Sequence, residues 1–225
     1  MKKIVIIGAG GFGREVAWVV ERINAVRPEF ELLGFCDDAA DKREGMCGAY
    51  PLLGPVGTVK TRLGAVGFFC AIGRNRVRKS VTESARAMGH EPVTVVDPSA
   101  VVAPGAAIGV GCYVGIGSVV SVGSRLGDGV LVNHQVAIGH DVALGDFSQL
   151  CPGVHVSGGC VLGEGVLMGT NAGLIPMKRI GAWATVGAGM TALRDVAEGA
   201  SMIRLVPGAD KSEEASKERR NSCGL

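Results

Sequence analysis

Residues 126–149 read LGDGVL VNHQVA IGHDVA LGDFSQ. Cut in sixes, every block opens on an aliphatic residue: Leu126, Val132, Ile138, Leu144. The register runs back through Val120, Val114, Ile108 and Val102 to Val96, and forward through Leu150, Val156, Leu162, Met168, Leu174 and Ile180 to Val186. The second place is usually glycine, as at Gly109, Gly115, Gly127, Gly139 and Gly145. The fifth is small or valine, as at Cys112, Ser118, Val130, Val142 and Cys160. A period of six fits neither a helix nor a flat two-faced strand. It fits a stacked repeat in which a short strand meets a corner, again and again. The first-place residue should point inward, the small fifth-place residue should leave room for it, and the second-place glycine should turn the corner. Three sides close a triangle, so residues eighteen apart stack, climbing roughly 4.8 Å per coil.

Composition sets bounds on what the chain can do. A length of 225 residues holds one or two domains, and a formal charge of +2 gives no reason to expect nucleic acid or an acidic membrane surface. An aromatic content of 4% suits a core built of thin aliphatic layers. No run of about 18 apolar residues marks a membrane span. The apolar stretch after Met1-Lys2-Lys3 is short, broken by glycine and followed by Arg14 and Glu15, so it does not read as a signal peptide. Seven cysteines are scattered without a C-x-x-C pair, and Cys112, Cys151 and Cys160 are not spaced to stack. Free thiols in a reducing cytoplasm are expected.

Ahead of the repeat the pattern changes. Lys3 to Ile7 reads as a buried strand, and Gly8-Ala9-Gly10-Gly11-Phe12-Gly13 follows it. A helix then carries Val16, Val19, Val20 and Ile23 on one face. Leu32 to Cys36 reads as a second strand ending in Asp37-Asp38, Phe68 to Ile72 as a third ending in Gly73, Arg74 to Met88 as a basic amphipathic helix, and Pro92 to Val96 as a last strand into the repeat. This is the opening of a Rossmann-like unit. Gly8, Gly10 and Gly13 meet the dinucleotide fingerprint. Some ninety residues, however, make only one mononucleotide half. A glycine turn at a helix N-terminus serves any phosphate, including that of a nucleotide-sugar. The expected division is residues 1–91 for nucleotide-sugar binding, 92–209 for the coil, and 210–225 as a polar tail, either a short exposed helix or disordered; Arg204 and Lys211, on either side of the last boundary, are charges able to meet CoA phosphates.

The order of the two parts, with the motifs Phe35-Cys36-Asp37-Asp38, Ala71-Ile72-Gly73-Arg74-Asn75, Asp97-Pro98-Ser99-Ala100 and Gly139-His140-Asp141-Val142-Ala143-Leu144-Gly145, resembles the bacterial nucleotide-sugar N-acetyltransferases and the related sialic acid O-acetyltransferases. The resemblance covers about residues 3 to 208. It implies a left-handed parallel β-helix behind the Rossmann-like domain, against the usual right-handed crossover. It implies acetyl transfer from acetyl-CoA to a nucleotide-linked amino sugar, a UDP-4-amino sugar first, in a cytoplasmic homotrimer that uses no metal. It places the general base on His140 and its supporting acid on Asp141. The nucleotide-sugar falls to Gly11, Phe12, Gly13, Asp37, Asp38 and Gly73, and acetyl-CoA to Gln149, Gly158, Thr170 and Ala188.

The chemistry asks for similar parts. An amine attacking a thioester must lose a proton, and neutral imidazole suits that task at pH 7. His140 stands at the third place of its block, at a corner and outside the core. Gly158, eighteen residues on, lies one coil above it, roughly 5 Å along the axis, and offers a backbone N–H for the oxyanion. His134 and His140 lie a full side apart. His90 and His155 read as structural or surface residues. Two other classes compete. One is a zinc site built from His134, His140 and His155, whose spacings put them on different sides or corners. The other is a non-catalytic nucleotide-binding scaffold.

Overall fold

The computed structural model describes residues 1–39 and 45–204. The last expected coil residues, 205–209, and the tail to Leu225, including Lys211, lie outside the described residues. No described helix is long and apolar enough to cross a membrane.

The chain opens with strand β1 (Lys2–Ile7), helix α1 (Gly11–Val26) and strand β2 (Phe30–Cys36). A small hairpin of β3 (Met46–Cys47) and β4 (Tyr50–Pro51) follows, then α2 (Val56–Leu63), β5 (Gly67–Cys70), α3 (Asn75–Ala87) and β6 (Glu91–Pro92). The parallel sheet runs in the order β2-β1-β5-β6. Alternation along β1 sorts its two faces. Ile4 and Ile6 join Val16, Val19, Val20 and Ile23 of α1, while Val5 and Ile7 join Val56, Val59 and Ala85 of the other two helices. The sequence expectation missed α2 and the hairpin. It also drew one strand over Pro92–Val96, where there are two. Glu91–Pro92 closes the N-terminal sheet and β7 (Val95–Val96) opens the coil. Between them, Thr94 donates to the Gly109 carbonyl at 2.8 Å and so pulls the chain out of one sheet and into the other.

The coil is a left-handed parallel β-helix with three faces, of seven, six and five strands. On the first face Tyr113 pairs with Leu131, Leu131 with Gln149 and Gln149 with Leu167. On the second, Val119 pairs with Ala137 and Ala137 with His155; on the third, Arg125 pairs with Ala143 and Ala143 with Val161. Each step is eighteen residues. First-place aliphatics and fifth-place small residues make one continuous core from Cys112 to Ala192.

One expectation is corrected. The second-place glycine does not turn the corner. The left-handed backbone sits at the fourth place: Gly111, Gly117 and Gly123 have φ of 69°, 66° and 71°. Second-place glycines serve stacking instead. A methyl on Gly139 would come 2.7 Å from the amide nitrogen of Gly158 in the coil above. Six fourth places hold a side chain in the left-handed region: Gln135, Asp141, Phe147, Asn171, Met177 and Trp183. Each costs about 1–2 kcal/mol relative to ordinary backbone.

The N-terminal domain covers the first face. Val95, Tyr113 and Leu131 are buried against α1 and the sheet, and Phe12 meets the Tyr113 ring edge-on at 5.3 Å. Helix α3 lies along the corner between the third and first faces. Arg86 faces Asp128 at 3.7 Å, Lys79 meets Glu164 at 2.6 Å, Asn75 donates to the Gly165 carbonyl at 3.0 Å, and Arg76 stacks over Trp183 at 4.1 Å. From Arg86 to Arg76 is roughly 15 Å of helix, close to the three coil steps it spans, roughly 14 Å. Arg78 is buried at the middle of this contact. It donates to the carbonyls of Phe147 (2.7 Å), Gly129 (3.2 Å) and Ile72 (3.0 Å) and to Oδ1 of Asn75 (3.1 Å). Burial, without a carboxylate in contact, brings its guanidinium down to about 10.

Candidate active site

The corner between the second and third faces is a ladder of third and fourth places: Val122 and Gly123, His140 and Asp141, Gly158 and Gly159, Pro176 and Met177. Nδ1 of His140 lies 2.9 Å from Oδ2 of Asp141, with both side chains about two-thirds exposed. A carboxylate accepts only, so the neutral ring carries its proton on Nδ1 and leaves Nε2 with a free lone pair. The ring leans up the ladder over Gly158, where a methyl would overlap it. The carboxylate of Asp141 leans down over Gly123, where a methyl would overlap Oδ1. Glycine at both positions makes room for the pair. The N–H of Gly158 donates to no group among the described residues, while its carbonyl accepts from Met177 N–H at 3.0 Å. A free imidazole nitrogen and a free backbone N–H on consecutive rungs can take a proton from a nucleophile and hold a developing oxyanion.

The residues expected at the nucleotide-sugar gather at the C-terminal edge of β1, β2 and β5, in different states. Gly11 and Gly73 face open space. A methyl on Gly13 would strike the Gly8 carbonyl, so Gly13 seats α1 against the strand. The ring of Phe12 turns inward to Phe69 and Tyr113. Asp37 accepts from Ala9 N–H at 2.9 Å and Ala39 N–H at 3.0 Å, and Asp38 accepts from Val56 N–H at 3.1 Å at the start of α2. The two acids hold the turn, and Gly10 caps α1 without a side chain, leaving its first N–H groups open.

The expected acetyl-CoA residues divide between two edges. Thr170 and Ala188 are successive rungs at the corner between the first and second faces, below which Gln149 lies on the first face with Oε1 buried and unpartnered. Gly158 is on the other edge of the second face, with His140. The three histidines of the zinc alternative do not converge. His134 stands at the first corner, 3.4 Å from Glu15, His155 on the second face between Ala137 and Gly173, and His140 at the second corner. His90 is buried and accepts from Val66 N–H at 3.3 Å. The sequence reading passed over Gly123 and Met177. The eighteen-residue interval from Asp141 and Gly159 was the signal that could have found them.

Family comparison matches residues 3–85 to the PglD N-terminal domain. Among solved structures, perosamine N-acetyltransferase from Caulobacter crescentus, in a histidine-to-asparagine form with CoA and GDP-perosamine, is 30% identical over 89% of this chain and 93% of that one, with a TM-score of 0.81. The acetyltransferase domain of PglB from Neisseria gonorrhoeae, with acetyl coenzyme A, is 31% identical over 89% and 95%, with a TM-score of 0.80. WeeI from Acinetobacter baumannii shares the fold at 22% identity over 89% and 96%, with a TM-score of 0.80. No curated protein sequence matches the chain. A Rossmann-like domain ahead of a left-handed β-helix, with these matches, defines a hexapeptide-repeat acyltransferase. The chain belongs to the nucleotide-sugar N-acetyltransferase family.

Proposed function

We propose that the protein transfers the acetyl group of acetyl-CoA to the amine of a nucleotide-linked amino sugar, with His140 as general base. The observation that carries this reading is the corner ladder itself: Nδ1 of His140 on Asp141, and the ring over the free N–H of Gly158. The sugar nitrogen attacks the thioester carbon and gives its proton to Nε2. Asp141 supports the imidazolium through Nδ1. The carbonyl oxygen becomes an oxyanion against Gly158 N–H. Collapse breaks the carbon–sulfur bond, and the departing thiolate takes the proton back from Nε2, leaving the amide and free CoA.

In this reading the N-terminal domain holds the nucleotide-sugar at Gly11, Gly73 and the turn kept by Asp37 and Asp38, and the coil holds CoA along Gln149, Thr170 and Ala188. The geometry of a single chain supports a trimer. The N-terminal domain sits on the first face, and His140 stands at the corner opposite that face. A face six residues wide spans up to roughly 20 Å. A sugar on one chain's glycine turn therefore meets the His140 of a neighbour. We place the reaction in the cytoplasm, where acetyl-CoA is made and used.

The test is an assay for released CoA across UDP-, GDP- and dTDP-linked amino sugars and free sialic acid. UDP is our first expectation, and the GDP-perosamine held by the C. crescentus relative makes GDP its competitor. His140→Ala should cut kcat at least about 10²-fold with little change in either KM, and Asp141→Asn should cost less. Retention of more than about a tenth of the rate by His140→Ala removes it as the base.

A further inference from the structure

The fourth place of a block favours glycine, yet the rung above Gly159 carries Met177, at φ 62° and 73% exposed. A long apolar side chain is thus held out to solvent on strained backbone. It does not hang free. Its thioether lies back across Gly159, where a methyl would overlap Sδ and sit 3.6 Å from Cε. Its own N–H holds the Gly158 carbonyl at 3.0 Å. The imidazole of His140 reaches up to Gly158 from below, and the Met177 thioether reaches down to Gly159 from above, so the two side chains bracket a single peptide.

We propose that Met177 is the wall of the acyl pocket and limits the donor to a short acyl group. The inference rests on the acyl-transfer reading above. With the thioester oxygen on Gly158 N–H and the carbonyl carbon in reach of a nucleophile beside Nε2, the acyl carbon chain has two ways to point along the corner. Downward it meets the Asp141 carboxylate lying over Gly123. Upward it meets Met177. An apolar chain takes the apolar side. Val122 lies one coil below the ring, away from the Gly158 N–H; with the exposed prolines Pro104 and Pro176 it makes up the remaining exposed apolar side chains of this corner. The thioether occupies the space into which a third or fourth acyl carbon would extend.

The experiment compares kcat/KM for acetyl-, propionyl- and butyryl-CoA in the wild type, Met177→Gly, Met177→Leu and Val122→Ala. Glycine relaxes the left-handed backbone, so Met177→Gly should fold at least as well as the wild type. Its butyryl-to-acetyl ratio should rise at least about tenfold, the scale on which a pocket discriminates a methylene. Met177→Leu and Val122→Ala should keep the wild-type ratio within about twofold. A folded, active Met177→Gly with an unchanged ratio overturns the assignment of Met177 alone. A rise in Val122→Ala but not in Met177→Gly puts the acyl chain on the lower side. A wild type that releases CoA from none of the three thioesters overturns the acyl-transfer reading and the proposal with it.

Discussion

Replacing Gly158 by alanine tests the site through a residue that takes no proton. Its backbone is outside the left-handed region, so alanine is conformationally free there. The added methyl would lie 2.6 Å from Cε1 and 2.8 Å from Cδ2 of His140, and the three nearest atoms it meets all belong to that ring. Ordinary carbon contacts are about 3.5–4.0 Å. The imidazole must therefore retreat by roughly 1 Å, and being two-thirds exposed it can do so without disturbing the coil. Retreat pulls Nδ1 off Asp141 and carries Nε2 away from the nucleophile. A displacement of that size costs about 10²-fold in rate, or roughly 2.7 kcal/mol of transition-state stabilisation. The alanine keeps its N–H, so the loss belongs to the base and not to the oxyanion donor. We expect kcat to fall by that factor, both KM values to stay near wild type, and stability to change within about 0.5 kcal/mol. In a His140→Ala background the same change should be nearly silent, because no ring is left to displace. If Gly158→Ala keeps more than half the wild-type kcat, or costs as much without His140 as with it, the ring does not work from over Gly158.

Two further outcomes follow from the geometry. Gly11→Val, which blocks the open side of the glycine turn, should raise KM for the nucleotide-sugar and leave that for acetyl-CoA unchanged; mixed and reassembled with His140→Ala subunits, it should regain activity, since each variant supplies the half-site that the other lacks, and failure of such mixtures argues against a site shared between chains. Burial by itself would push the Asp97 carboxyl up, but the two-pronged contact with Arg22 (2.7 and 3.1 Å) and the bonds from Ser99 hold it below the usual range. Its stabilising contribution is therefore complete above the unfolded value near ~3.9 and is lost as pH falls through the lower folded value. In urea titrations Asp97→Asn should be less stable than wild type at pH 7, by about 1–3 kcal/mol, with the gap closing toward pH 2; a gap independent of pH would contradict this.

Much of the fold was open to reading because the first place of each block obeys one demand, burial, from Val96 to Val186. The corner was misread because glycine answers two different demands in the same block. At Gly139 it admits the next coil, and at Gly123 it turns the backbone and admits Asp141. Composition does not separate them; the exceptions do, since Asp141, Asn171, Met177 and Trp183 all replace glycine at the fourth place only. The His140–Gly158 stack followed from the interval of eighteen. The inward turn of Phe12 and the packing role of Gly13 did not, because both depend on how α1 meets Tyr113 and Gly8, contacts distant in sequence. Helix α2 escaped notice because it is eight residues long with only Val56 and Val59 buried, too brief a stripe to show a period.

A coil of this kind is nearly one-dimensional. Each turn touches only the turns above and below, and such arrays tend to open from an end, one layer at a time. Helix α3, anchored by Arg78 and its neighbours from Asp128 to Trp183, breaks that independence. The layers it crosses cannot separate singly without also tearing the guanidinium from the carbonyls of Gly129 and Phe147. Amide exchange should then report two regimes in one repeat. The middle layers, His140 and Gly158 among them, should open only as a block, while those above Trp183 should fray independently. Helix α3 thereby also keeps the rungs of the His140 corner from slipping past one another.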